Sequence, residues 1–74
     1  MQVFTLDIES PEIRNFQDVM MIESALANSP GIGDVQVDVE HHCVHVITVN
    51  QDGGVDVIRR LDDAGFPHSQ ISVR

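Results

Sequence analysis

Val35-Gln36-Val37-Asp38-Val39-Glu40-His41-His42-Cys43-Val44-His45-Val46-Ile47-Thr48 carries the clearest pattern in the chain. Val35, Val37 and Val39 alternate with Gln36, Asp38 and Glu40, the period-two signature of a half-buried strand. Glu40-His41-His42 is short enough for a hairpin turn, although it lacks an Asn-Gly or Asp-Gly pair. Beyond it Val44, Val46 and Thr48 fall on one face of a second strand, and Cys43, His45, Ile47 and Val49 on the other. A hairpin with one apolar and one mixed face needs helices to cover the apolar side, and the flanking sequence supplies them.

Upstream, Phe4, Leu6 and Ile8 alternate with Val3, Thr5 and Asp7, which predicts a strand ended by Ser10-Pro11. From Asn15 to Ser29 the period changes. Phe16, Val19, Met20, Ile22, Leu26 and Ala27 fit a core-facing helical stripe, closed by Pro30-Gly31. Downstream, 50–54 (Asn-Gln-Asp-Gly-Gly) has the chemistry of a loop. Val57, Ile58, Leu61 and Ala64 then mark a second amphipathic helix with Gly65 as its C′ residue. Ser69 to Val73 reads as a short last strand. The order is βαββαβ. That predicts an α+β, ferredoxin-like sandwich: a four-stranded antiparallel sheet in the order 4-1-3-2, with two helices on one face and the other face open. It also brings the Pro11–Asp18 loop, the His41–Cys43 turn and the Phe66–His68 loop to one rim.

Composition sets limits. Seventy-four residues make one small domain, residues 1–74. Hydrophobic residues are 42% of the chain, enough to expect a folded core rather than disorder. Four Lys+Arg against 12 Asp+Glu give a net charge of −8, which makes a poor nucleic-acid binder. One Cys excludes an internal disulfide and the common multi-cysteine zinc sites. No apolar run is long enough to insert in a membrane, and the first residues lack the features of a signal peptide. A cytoplasmic protein is the expectation. No nucleophile elbow, P-loop or dinucleotide fingerprint is present, so an enzyme is not expected.

Several stretches resemble the heavy-metal-associated domain. They are Ile22-Glu23-Ser24-Ala25-Leu26, Pro30-Gly31-Ile32, Asp34-Val35-Gln36-Val37, and 55–61 followed by Asp63-Ala64-Gly65-Phe66. The family comprises small copper chaperones, mercury-binding proteins and N-terminal modules of metal-transporting ATPases. The resemblance implies the same fold, a role in metal transport and a Cys-x-x-Cys pair for Cu(I) at the start of the first helix. Counting back from Pro30-Gly31-Ile32 places that pair on Asn15 and Asp18, so this chain resembles a degenerate member that lacks the thiols. Asn15 then suits an N-cap, and Asp18 the first helical turn. Phe66 matches the place of a Tyr or Lys near the family's metal loop and, from its own setting, closes the end of the second helix. Met20 of the Met20-Met21 pair is expected in the core.

The remaining metal-capable residues are His41, His42, Cys43 and His45, with His68 expected on the same rim. Cys43 and His45 share the open face with Asp7, and such a His/Cys/carboxylate set suits Zn²⁺, Cu or Ni. Two functions follow. One is a non-standard metal site through His42, Cys43 and His45, with His41 or His68, serving binding or trafficking beside a metal-transporting ATPase. The other is a metal-free acidic module that keeps the fold and meets a basic protein partner, or forms a homodimer through Val3, Ile47 and Val49. The four His also form a patch that would gain positive charge as pH falls.

Overall fold

The computed structural model describes residues 2–27, 29–49 and 53–72. Its elements are β1 (Phe4–Glu9), α1 (Phe16–Leu26), β2 (Ile32–Asp38), β3 (Cys43–Thr48), α2 (Gly53–Asp63) and β4 (Gln70–Ile71). All strand pairs are antiparallel, and the sheet runs β2-β3-β1-β4, the expected 4-1-3-2 read from its other edge. β3 is interior, paired with β2 on one side and β1 on the other. The alternation in β1 and β3 decides which face is covered. Ile8, Val44 and Val46 are fully buried against Ile22, Leu26, Val57 and Leu61 of the helices. Asp7, Cys43, His45 and Ile47 lie on the opposite, uncovered side.

Several elements differ from expectation, each for a local reason. β2 begins at Ile32, not Val35, and a register shift between Ile32 and Val35 absorbs Gly33-Asp34. Val39 belongs to the turn rather than to the strand. α1 stops at Leu26, where Pro30 has no N–H to bond the Leu26 carbonyl, and that carbonyl instead accepts the Ser29 N–H at 3.4 Å. The helix also buries a different stripe. Phe16, Met20 and Ala27 are exposed, whereas Asp18, Ile22 and Leu26, each four apart, form the buried line. Ile13, in the loop ahead of the helix, is fully buried and adds core volume that Phe16 had been expected to provide.

Gly53 and Gly54 form the first turn of α2 rather than a loop. They permit close approach: a Cβ on Gly54 would sit 2.7 Å from Ile71 Cδ1, and one on Gly53 would sit 2.9 Å from Thr48 Cβ. Residues 50–52 of the expected loop lie outside the described residues. β4 is limited to Gln70–Ile71, and Val73 is also outside them. At the far end of α2, Gly65 has φ 103°, and the Phe66 and Gly65 N–H groups bond the Leu61 and Asp62 carbonyls at 2.8 and 3.2 Å. This is a Schellman closure, and it tucks Phe66 into the core.

The three loops do share one rim. The Ser10 N–H donates to the His42 carbonyl at 2.8 Å, and His42 Nδ1 donates to the Ile13 carbonyl at 2.6 Å. Ser69 Oγ donates to the Phe66 carbonyl at 2.8 Å. Its proton is thereby committed, so in the 2.7 Å Ser10–Ser69 contact Ser10 is the donor. His42 holds a left-handed φ of 54°, which closes the turn between Asp38 and Cys43.

Candidate metal centre

Asn15 and Asp18 are both occupied with the backbone. Asn15 is the N-cap of α1, in extended conformation, and its Oδ1 accepts the Asp18 N–H at 3.1 Å. Asp18 Oδ2 accepts the Arg14 N–H at 2.9 Å, and the residue is only 7% exposed. Together they satisfy donors at the helix start, a closed relative of the capping box. Neither supplies sulfur, and two hard oxygens already engaged with N–H groups do not make a site for a soft ion. Asn15→Ala should cost about 1 kcal/mol in urea unfolding, with Asn15→Asp near wild type. Equal midpoints for Asn15→Ala and wild type would show that the cap contributes nothing.

The open sheet face holds the other donors. β-pairing puts Asp38 directly across from Cys43 on one side, Glu9 across from it on the other, and Asp7 across from His45. His45 Nδ1 lies 2.6 Å from Asp7 Oδ1. A carboxylate only accepts, so this nitrogen carries a proton, and in the neutral ring Nε2 presents its lone pair. That Nε2 is 3.8 Å from Cys43 Sγ. Donor atoms of Asp38, Cys43 and His45 all lie within 4.8 Å of one another. Among the described residues no other three His, Cys, Asp or Glu donors come so close.

The electrostatics suit a cation. Burial first, then the charges of Asp38, Asp7 and Glu9, push the Cys43 thiol up from its ordinary value. An ion arriving there must displace the thiol proton, and in return meets a field made by carboxylates. The Asp38 carboxyl is held below its usual range, chiefly by the His41 side-chain hydrogen bond. Oδ2 lies 2.8 Å from His41 Nδ1, and Oδ1 accepts the His41 backbone N–H at 3.1 Å.

Of the expected donors, then, Cys43 and His45 come together. His41 bonds Asp38, His42 turns to the Ile13 carbonyl, and His68 pairs with Glu12. These three line a neighbouring cleft of about 660 Å³ with Glu9, Pro11 and Gln70. Asp38 was not among the expected donors. The signal for it was present, because an off-core strand residue separated from Cys43 by a four-residue turn faces it across the hairpin.

No protein-family model and no curated protein matches the chain. Solved structures do. Oxidized MerP from Ralstonia metallidurans CH34 superposes with a TM-score of 0.84 at 19% identity, covering 97% of this chain and 100% of that one. A copper binding domain from HMA7, a P-type ATPase, gives 0.79 at 19% identity, covering 93% of each chain. The apo HMA domain of a copper chaperone for superoxide dismutase gives 0.72 at 22% identity, covering 99% of this chain and 68% of that one. The fold is that of the heavy-metal-associated domains. Within this HMA fold the helix-start loop is closed by Asn15 and Asp18, and the grouped donors lie on the uncovered sheet face. No helix among the described residues is long and apolar enough to cross a membrane.

Proposed function

We propose that this HMA-fold chain binds a metal ion in a trafficking role, through Asp38, Cys43 and His45 rather than through the helix-start loop. One observation carries the reading: the three donor atoms lie within 4.8 Å of each other. The Asp7 carboxylate behind His45 supports it, since an oxygen acceptor on the far ring nitrogen is the usual support of a metal-binding imidazole. The partner would be a metal-transporting ATPase or another protein with a basic surface, drawn by the −8 charge.

Calorimetric titration of the reduced protein with Zn²⁺ tests the reading. Wild type is expected to take up one ion saturably, and the Cys43→Ser/His45→Ala protein to lose that uptake. His68→Ala, altered on the rim, should bind as wild type does. Absence of saturable uptake by wild type would reject this reading and favour the metal-free acidic interaction module.

A further inference from the structure

Asp38, Cys43 and His45 offer one oxygen, one sulfur and one nitrogen. The mixture discriminates among ions. Cu(I) gains from thiolates and little from a carboxylate oxygen, whereas Zn²⁺ accepts all three donor types. Charge points the same way. Asp7 and Glu9 sit opposite His45 and Cys43 in the strand register, so carboxylates surround the donors. A dication feels that field twice as strongly as a monocation at the same place.

The number of donors is as informative as their type. A four-coordinate ion needs one more ligand: the nearby imidazoles are otherwise engaged, and Glu9, although across from Cys43, brings no oxygen into the 4.8 Å group. His41 holds both oxygens of Asp38, and His42 is turned to the Ile13 carbonyl. The Asp38 oxygens keep further lone pairs for an ion, so His41 acts behind Asp38 as Asp7 acts behind His45. The donors sit on the sheet face that no helix covers, and His45 keeps 40% of its side chain exposed. Their recess shares Glu9 and His41 with the larger rim cleft.

We propose that the site is an exchangeable divalent-ion centre, with three ligands from the chain, His41 and Asp7 as positioning residues, and a fourth position open to water or to a donor atom from a partner. This rests on the metal-binding reading above and specifies its ion class and exchange chemistry. Three protein ligands with one open position is the arrangement of zinc sites that exchange their last ligand, whereas structural sites are closed by four. A thiolate or imidazole from a docking protein would enter the open position before any ligand of this chain leaves.

Co²⁺ serves as a spectroscopic probe for Zn²⁺. Wild-type protein with Co²⁺ should show a thiolate-to-metal charge-transfer band and d–d bands of tetrahedral intensity, and Zn²⁺ should abolish both. Added imidazole should shift the d–d bands while the charge-transfer band persists. Cys43→Ser should lose the charge-transfer band. His41→Ala should keep it but bind about 10–100-fold more weakly, as for loss of a positioning residue. His41→Gln, which can still donate to Asp38, should recover part of that affinity.

Co²⁺ bands that imidazole leaves unmoved would show a closed site and overturn the proposal, with metal binding itself intact. A His41→Ala affinity equal to wild type would overturn it too. Failure of wild type to bind any of these ions would instead overturn the metal-binding reading on which it rests.

Discussion

The Asn15→Cys/Asp18→Cys protein should bind Cu(I) roughly 1,000-fold or more tightly than wild type, a gain of about 4 kcal/mol. The two positions are the N-cap of α1 and the third residue of its first turn, and the Asn15 side chain already reaches the Asp18 N–H. Thiols introduced there would meet the positive end of the helix dipole, which lowers their pKa and favours paired thiolates. Two such sulfurs suit a soft d10 ion far better than one oxygen–sulfur–nitrogen set. The substitution also removes the Asn15 cap and the acceptor of the Arg14 N–H, so the apoprotein should lose about 1–2 kcal/mol. Competition against a Cu(I)-specific chelator measures the gain, and circular dichroism confirms the fold. A folded double variant with wild-type Cu(I) affinity would mean that the β1–α1 loop no longer presents these positions as the resemblance implies.

Leu61→Ala should destabilise the protein by about 3–5 kcal/mol. Leu61 is fully buried, and its carbonyl receives the Phe66 N–H that closes α2. Truncation therefore opens a cavity beside the aromatic ring that the Schellman turn brings inward. A chain of this length has about 4–11 kcal/mol of total stability, so the variant should be partly unfolded near body temperature. Urea titration followed by circular dichroism gives the number. Val55→Ala is the control: Val55 is 74% exposed on the same helix, and its midpoint should move little. A Leu61→Ala midpoint equal to that of the control would place the core elsewhere.

The architecture was legible because period-two and period-3.6 patterns are one-dimensional records of burial. Val44, Val46 and Thr48 face the helices as their alternation requires, and Gly65 and Phe66 end α2 as their order suggests. Where burial was shared among neighbours, the pattern was ambiguous. Phe16 and Met20 are as apolar as Ile22 and Leu26 and fit an overlapping stripe. Only the placement of Ile13 and the capping pair leaves them outside. Gly53 and Gly54 depart from the expected loop because the same residue serves a flexible turn and a tight packing contact.

The donor cluster was half legible. His41, His42, Cys43 and His45 stood out by their types and His68 by its predicted rim, but residue type says nothing of orientation. His42 is drawn away by a carbonyl fixed in a distant loop. Asp38 enters through strand register, a relation between two segments rather than a property of either.

The interior position of β3 also bears on timescale. Cys43 and His45 sit on a strand hydrogen-bonded along both edges. Amides in such a strand exchange with solvent only through opening events close in free energy to global unfolding. A ligand pair at a helix start can release cargo by fraying a single turn, but a pair on a central strand has no comparable partial opening. On the metal binding proposed above, release from this face would proceed by ligand substitution at the ion while the backbone stays closed, so that the holding time would follow the incoming ligand rather than the breathing of the chain.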